Sequence, residues 1–202
     1  MKIGLIDYGA GNLHSAHNAL TKIGATCKLV QSPADLEGVD RLVLPGVGAC
    51  VDCVRQLKEQ DLWSPLRDWI EVDKPFFGIC IGYQILFDHS EEFEGADGLG
   101  IVLGQVIRFP RNDLKVPHMG WNALDLSDPS DPLWKGLPEK PYVYFVHSYY
   151  PKPEDDTVVS AWCDYGVRFA AAIRRGNLVA TQFHPEKSQA IGLKILQNFA
   201  VA

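Results

Sequence analysis

The sequence predicts an α/β protein, a three-layer sandwich in which a central, mostly parallel mixed sheet is flanked by helices. In the first half, short apolar runs alternate with segments of helical periodicity, which is typical of βαβ units. In the second half, strand-like runs follow one another with little helix between them, and we expect them to extend the same sheet. A chain of 202 residues with 47% apolar residues fits a single domain, residues 1–202.

The first half is interpreted as four strands and the helices between them. "KIGLID" is the first strand, and "NLHSAHNALTKIG" is a helix that closes at Gly24. "ATCKLV" and "RLVLPG" are the second and third strands. A helix is expected from about Val51 to Ile70, broken near Pro65, and it precedes the fourth strand, "PFFGIC". "YQILFDHS" then opens another helix.

The second half contains five strand-like runs, "GIVLGQVIRF", "YVYFVHSYY", "TVVSAWCDYG", "FAAAIRRG" and "LVATQFH". Only the last segment, "SQAIGLKILQNFAVA", has a clear helical pattern, since Ile191, Ile195 and Phe199 recur four residues apart. An amphipathic helix docked on the sheet is therefore expected to close the chain.

Composition excludes several classes of function. The formal net charge is −6, the pI is near 5.5 and there is no basic run, so neither nucleic acid nor a membrane is an expected partner. The apolar start is too short for a signal sequence and no stretch approaches a membrane span, so a cytoplasmic location is expected. Five cysteines, an odd number, do not resemble a disulfide framework.

The candidate nucleophile is Cys80, in the turn "GICIGYQ" after the fourth strand. Open α/β sheets place their chemistry at the carboxyl ends of the strands, where "DYGAGN" and "PGVGA" also lie. Gly78 and Gly82 flank Cys80 as glycines flank the serine of a nucleophile elbow. A helix start behind Cys80 would favour the thiolate, and the N–H groups that follow could receive an oxyanion. The competing interpretation is a buried structural cysteine.

A nucleophilic cysteine needs a base, and His184 is the candidate among six histidines. It ends the strand "LVATQF", which brings it to the same sheet edge as Cys80. Glu186 lies two residues further on, and in extended chain such residues point to the same side. Glu186 can therefore orient the imidazole as the third member of a triad.

Two other motifs are weaker candidates. Cys50 and Cys53 match the C-x-x-C form of redox and zinc sites, but no second pair and no nearby histidine complete a metal set. Their alternative role is to pack at the start of a helix. "YGAGN" lacks the third glycine of a dinucleotide fingerprint and a P-loop lysine. We therefore expect neither a cofactor nor a metal.

These residues resemble the class I, or triad, glutamine amidotransferases, which use Cys, His and Glu to release ammonia from glutamine. Further motifs make the chain similar to the glutaminase subunits of imidazole glycerol phosphate synthases in histidine biosynthesis: "DYGAGN", "PGVGA", "VPHMGWN", "YFVHSYY" and "FHPEKS". They occur in family order from Asp7 to Ser188, so the resemblance covers nearly the whole chain. It implies the class I glutamine amidotransferase-like fold.

The resemblance also implies roles for residues. Cys80 would attack the glutamine carboxamide, His184 would pass the proton to departing ammonia, and Glu186 would orient His184. A thioester would form and be hydrolysed to glutamate. Oxyanion and glutamine-binding roles are implied for Gly46, Val47, Gly48, Ile81, Gln84, His147, Ser148 and Tyr149. For Tyr149, an aromatic residue facing the core is an equally good interpretation.

A partner follows from the same resemblance. Ammonia would pass to a separate cyclase subunit of (β/α)₈ barrel fold, in a heterodimer that makes imidazole glycerol phosphate and aminoimidazole carboxamide ribotide. Interface positions are implied at Asn12, His118, Trp121, Tyr144 and Lys187. The isolated chain would be a poor glutaminase until the cyclase is docked and liganded.

Three alternatives stay open at this point. One is a triad amidotransferase subunit for anthranilate, guanylate or carbamoyl phosphate synthesis. The others are a catalytically silent scaffold that binds a partner, and a stand-alone peptidase of similar fold. Two positions depart from the family pattern, since Tyr83 stands where methionine is expected and Cys50 where an aromatic residue or histidine is usual.

Overall fold

The computed structural model of the chain describes residues 1–9, 12–110 and 114–201. The helices are α1 (Leu13–Lys22), α2 (Cys50–Glu59), α3 (Trp63–Glu71), α4 (Ile81–Gln84) and α5 (Gln189–Val201). The strands are β1 (Lys2–Ile6), β2 (Thr26–Val30), β3 (Arg41–Leu44), β4 (Phe76–Ile79), β5 (Phe87–Ser90), β6 (Ala96–Asp97), β7 (Val102–Arg108), β8 (His118–Ala123), β9 (Asp125–Leu126), β10 (Tyr142–His147), β11 (Tyr149–Pro153), β12 (Val159–Asp164), β13 (Arg168–Arg175) and β14 (Leu178–Thr181). The predicted turn "DYGAGN" includes residues 10 and 11, which lie outside the described residues.

The main sheet of the described residues has eight strands in the order β2-β1-β3-β4-β14-β13-β12-β9. The first five run parallel, and the last three continue the sheet with antiparallel pairing. Because β3, β4 and β14 are adjacent and parallel, their carboxyl ends open at one edge of the sheet. The predicted mixed, mostly parallel sheet is therefore confirmed.

Helices cover the sheet on both faces. Right-handed crossovers place α1 on one face and the α2–α3 pair on the other, since β1 connects outward to β2 while β3 connects the opposite way to β4. The helix α5 packs against α1. Central strands are apolar throughout, as expected for strands covered on both sides, and all four residues of β4 and of β14 are buried. Within the described ranges, no helix is both long and apolar enough to cross a membrane.

The predicted break in the helix from residue 51 to 70 falls earlier than expected. The chain leaves α2 at Gln60 and re-enters a helix at Trp63, with Asp61 in the left-handed region at φ 57°. Pro65 lies in the first turn of α3, where its missing N–H has no intrahelical partner to lose. Proline is thus compatible with the helix start and is not the cause of the break.

The prediction that a helix begins at "YQILFDHS" is wrong beyond the first helical turn. The helix α4 ends at Gln84, and β5 follows from Phe87. The backbone carbonyl of Leu86 accepts the N–H groups of Ile101 and Val102 at 2.9 and 3.0 Å. Pairing with a distant segment therefore overrides the local helical pattern.

The second half extends the main sheet only in part. Strands β12, β13 and β14 join it, but β10 pairs with β8 in a two-stranded sheet, and β11, β7, β5 and β6 form a separate four-stranded sheet. The predicted strand "YVYFVHSYY" is divided at Ser148 between these two sheets. The two small sheets form the wall of the site described next.

Candidate active site

Three strand ends meet at the carboxyl edge of the main sheet. Leu44 of β3 pairs with Gly78 of β4, and Ile79 pairs with Thr181 of β14. Cys80 therefore directly follows β4 between the turn after β3 and the segment that carries His184. The parallel register explains how residues about a hundred positions apart reach one site.

The turn at Cys80 is a strained elbow. Cys80 has φ 55° and ψ −104°, a conformation that non-glycine residues rarely adopt outside functional sites. Its N–H donates to the carbonyl of Thr181 at 2.8 Å, while its own carbonyl accepts the N–H groups of Tyr83 and Gln84. These bonds fix the backbone of the elbow on both sides, so the buried thiol has a defined position.

His184 and Glu186 form a buried pair. His184 Nδ1 and Glu186 Oε1 are 2.8 Å apart, and both side chains are 1% exposed. Asn12 Nδ2 donates to the same carboxylate oxygen at 3.2 Å. Since a carboxylate only accepts, the proton lies on Nδ1 and the other ring nitrogen, Nε2, is left for chemistry.

The main chain of His184 is tied to the strand β10. His184 N–H donates to the carbonyl of Tyr144 at 3.0 Å. The Ser188 hydroxyl donates to the His184 carbonyl at 2.7 Å and accepts the Tyr144 N–H at 2.9 Å. Three hydrogen bonds therefore hold the backbone of the catalytic candidate His184 to β10.

Electrostatics favour a charged imidazole at this position. Burial lowers the pKa of His184, but Cys80 and then Glu186 act in the opposite direction and together raise the pKa to about 10. Nε2 of His184 has no fixed hydrogen-bond partner among the described residues. The arrangement suits a proton carrier between a thiol and a leaving group.

A pocket of about 260 Å³ opens over Cys80 and His184. Its volume lies just below the usual range for ligand sites, about 300 Å³ and upward, and suits a ligand of amino-acid size. The other lining residues are Val47, Gly48, Ile81, Gln84, Glu92, Pro117, Val146, His147, Ser148 and Tyr149. The structure thus brings together most of the predicted glutamine-binding residues, and Gly46 packs behind Ile81.

The predicted interface positions separate into two groups. Trp121 and Lys187 are exposed and Tyr144 is half-buried, so all three can contact a partner. Asn12 is half-buried and bonds to Glu186. His118 is fully buried and stacks on Tyr165 with ring centroids 3.9 Å apart. The expectation that His118 is an interface anchor is therefore wrong, because its ring lies on the inner side of β8.

Sequence reasoning missed Gln182. Its amide is fully buried, donates to Cys80 Sγ at 3.7 Å and accepts from Gln84 Nε2 at 3.0 Å. The signal was present, because a polar residue in the otherwise apolar run "LVATQF" requires a buried partner.

The C-x-x-C pair opens α2 below the pocket. Both thiols are buried, and burial raises the pKa of Cys50 and raises that of Cys53 to about 12. Cys50 Sγ donates to Gln84 Oε1 at 3.2 Å. Thiols held protonated in this way favour the packing interpretation. No group of three metal-ligating side chains is found in the described part of the chain.

Residues 4–202 match the family described as "Glutamine amidotransferase class-I". Curated relatives carry the name "Imidazole glycerol phosphate synthase subunit HisH", and two of them illustrate the similarity. The one from Syntrophotalea carbinolica is 50% identical over 201 residues, covering 96% of this chain and 97% of the relative. The one from Synechococcus sp. (strain JA-3-3Ab) is 52% identical over 202 residues, covering 98% and 93%.

The chain belongs to the class I glutamine amidotransferase family and, within it, to the HisH subunits of imidazole glycerol phosphate synthase. The predicted family and enzyme class are confirmed. Solved structures agree on the fold: "Structure of PurLQS from Thermotoga maritima" has a TM-score of 0.78 at 20% identity, covering 99% of this chain and 97% of that one. "Crystal structure of glutamine amidotransferase" has a TM-score of 0.76 at 21% identity, covering 98% of both chains.

Proposed function

We propose that this chain, as a single domain of 202 residues, hydrolyses glutamine with Cys80 as nucleophile and delivers the ammonia to the cyclase subunit of an imidazole glycerol phosphate synthase. The observation that carries the proposal is the buried His184–Glu186 pair beside the Cys80 elbow, at the base of a pocket of amino-acid size. These are the parts that a cysteine amidase requires.

The reaction proceeds in two halves. The Cys80 thiol passes its proton to Nε2 of His184, and its sulfur adds to the carboxamide carbon of glutamine. His184 then donates that Nε2 proton to the nitrogen as the C–N bond breaks. Ammonia leaves and a thioester remains. Water then adds to the thioester while His184 accepts its proton and returns one to the departing sulfur. Glutamate is released and Cys80 is restored.

The developing oxyanion needs backbone donors. The N–H groups of Ile81 and Gly82 begin the turn after Cys80 and make no backbone hydrogen bond among the described residues. The Val47 peptide lines the same pocket from the other side, between two glycines. Loss of one such donor typically costs about 3–4 kcal/mol of barrier, so the orientation of the Val47 peptide could control activity.

The outer face of the two-stranded sheet β8–β10 is the docking surface that we assign to the cyclase. Trp121 pairs directly with Tyr144, and Met119 pairs with Val146, so these side chains share one face. Met119 is 62% exposed, Trp121 is 44% exposed and Tyr142 is 58% exposed. An exposed apolar and aromatic patch is typical of a protein interface. The carbonyl of Tyr144 also accepts the N–H of His184. The strand β10 therefore contributes to the docking surface and also positions the catalytic histidine.

The partner is a (β/α)₈ barrel cyclase in a heterodimer, in the cytoplasm, with imidazole glycerol phosphate and aminoimidazole carboxamide ribotide as products in histidine biosynthesis. Lys187 is exposed directly beside Glu186 and suits a charged contact between the triad and that partner. Neither a cofactor nor a metal takes part in the proposed reaction.

The test is glutaminase turnover of the chain with and without the cyclase and its nucleotide ligand. We expect low turnover alone, strong stimulation in the liganded complex, and loss of at least about a thousandfold in Cys80→Ala. Cys163→Ala is the matched control, because Cys163 is equally buried but lies in β12 away from the pocket. Equal turnover in the native chain and Cys80→Ala would refute the proposal.

A further inference from the structure

The inner face of the β8–β10 sheet carries a buried pair of histidines. His118 and His147 are directly paired across the two strands, and His118 Nδ1 lies 3.1 Å from His147 Nε2. His118 is 0% exposed and His147 is 6% exposed. His118 does not line the pocket, whereas His147 does. The pair therefore connects the back of the docking surface with the wall of the site.

The hydrogen-bond partners define which nitrogens carry protons. His147 Nδ1 lies 2.8 Å from the carbonyl of Tyr149, which can only accept, so His147 donates from Nδ1. Burial lowers the pKa of His118, and lowers that of His147 to about 3, so both rings are neutral near pH 7. His147 Nε2 then has a lone pair, and His118 must donate to it from Nδ1.

Asn122 is the hydrogen-bond partner of His118 on the other side of the ring. His118 Nε2 must then accept, but the atom that lies 2.8 Å from it is Oδ1 of the Asn122 amide. A half-turn of that amide presents its NH₂ to the ring, at the expense of a 3.4 Å contact with the carbonyl of Asp164. The donors then all point in one direction, from Asn122 on β8 through both rings to Tyr149.

From Tyr149 the bonds continue to the nucleophile. Gln84 Nε2 donates to the Tyr149 carbonyl at 3.0 Å and to Gln182 Oε1 at 3.0 Å. Gln182 Nε2 donates to Cys80 Sγ at 3.7 Å. A continuous series of hydrogen bonds, through side chains and the backbone carbonyl of Tyr149, thus joins β8 to the thiol, and each member is satisfied only while its neighbours keep their positions.

The ring of His118 is also held by packing. It stacks on Tyr165 with centroids 3.9 Å apart and on Phe145 with centroids 4.8 Å apart. A phenyl ring could keep these contacts and could not keep the hydrogen bonds. The hydrogen-bonding role of His118 can therefore be separated from its packing role.

We propose that His118 is a positioning residue for the glutaminase reaction, which acts through His147 and Tyr149 on the glutamine pocket and links that pocket to the docking strand β8. The proposal rests on the proposed function. His118 contacts neither the pocket nor the partner surface; it fixes the tautomer and orientation of His147, and through the Tyr149 carbonyl it fixes the amide of Gln84.

The test compares His118→Phe with the native chain in complex with the cyclase. We expect KM for glutamine to rise about tenfold, kcat to stay within about threefold, and cyclase affinity measured by calorimetry to be unchanged. His118→Asn, whose amide can still donate to His147, should restore KM to within about twofold of native. An unchanged KM in His118→Phe would overturn the proposal.

Two controls separate this outcome from others. Val143→Ala removes methyl groups from the same buried face of β10 without touching the hydrogen bonds. An equal rise of KM in Val143→Ala would show a merely structural role and overturn the proposal. Nitrogen NMR of the native chain should show His147 protonated at Nδ1 alone, and protonation at Nε2 would overturn it without any variant. Absence of turnover in the native complex would instead refute the proposed function.

Discussion

The pocket is bordered by two glycine-flanked turns, and the reason for glycine differs between the elbow around Cys80 and the far end of the turn after β3. In the elbow around Cys80, a Cβ on Gly82 would lie 2.1 Å from the carbonyl oxygen of Leu44, and one on Gly78 would lie 2.4 Å from the carbonyl oxygen of Gly82. Backbone packs directly on backbone there, and neither group can move aside. Glycine is required in the elbow for space.

The turn after β3 is different at its far end. Gly46 still packs tightly, with a built Cβ 2.6 Å from the Cβ of Ile81. Gly48 has φ 93° and nothing within 4 Å of its built Cβ, so glycine is required there for conformation alone. The Cys80 elbow is therefore fixed by backbone packing, whereas the Val47 peptide between Gly46 and Gly48 has one clamped end and one free end.

Gly82→Ala tests the fixed elbow and should have the largest effect. The added methyl group cannot be accommodated without moving β3 or α4, so we expect a loss of at least about 3 kcal/mol of unfolding free energy. For a chain of this size, that lowers the melting temperature by about 6–12 °C. Calorimetry or thermal unfolding followed by circular dichroism measures the melting temperature. A melting temperature within about 2 °C of native would show that the elbow is not clamped.

Acid pH tests whether the pocket wall that faces the elbow is held as firmly. His147 has a pKa of about 3 in the folded chain because of burial, against about 6.5 when unfolded. Between these values the unfolded chain binds more protons, so the unfolding free energy falls as pH falls, by up to about 1.4 kcal/mol per pH unit. Above about pH 6.5 His147 is neutral in both the folded and the unfolded chain, so this loss of unfolding free energy is absent there.

Urea denaturation at pH 7, 6 and 5 measures this slope. His147→Asn removes the titrating ring, so the variant should be less stable at pH 7 but should lose less stability on acidification. The difference in slope, and not the stability at one pH, is the result of interest. Equal slopes in the two proteins would show that burial does not keep His147 neutral.

The fixed part of the site was predictable from sequence. The alternation of apolar runs predicted β1 to β4, and the rule that chemistry lies at the carboxyl ends of strands brought Cys80, His184 and Glu186 together. Of these strands, β1, β3 and β4 are central in the sheet, so their own hydrophobic patterns determine them. Local sequence and tertiary structure agree there.

The wall of the pocket was not predictable in the same way. The segment after Gln84 has a helical pattern, but Leu86 is paired with residues 101 and 102, which no local signal reveals. His118 was assigned to the interface through the family resemblance, because it shares the motif "VPHMGWN" with Trp121. Alternation along "HMGWNA" would have placed His118 on the opposite face from Met119 and Trp121, as the structure does.

Gly48→Ala tests the free end of the turn. With open space around the built Cβ, only the cost of a left-handed alanine remains, about 1–2 kcal/mol of unfolding free energy. Alanine at position 48 stiffens the backbone and hinders rotation of the Val47 peptide. We therefore expect turnover in the liganded complex to fall about tenfold at temperatures where the variant is folded. Native turnover with the expected destabilisation would show that the turn need not reorient.

Substitution of Cys50 tests the packing behind the turn that follows β3. We expect its effect on stability and turnover to be the smallest. Cys50 is the first residue of α2, and its thiol donates to the buried Gln84 Oε1. Cys50→Ser keeps a donor in the same place, so turnover should stay within about twofold of native. Cys50→Ala leaves that amide oxygen without its donor and should cost about 1 kcal/mol of unfolding free energy. If Cys50→Ser abolished turnover while the chain stayed folded, the thiol would have a chemical role, and the C-x-x-C pair would belong to the active site and not to the packing beneath it.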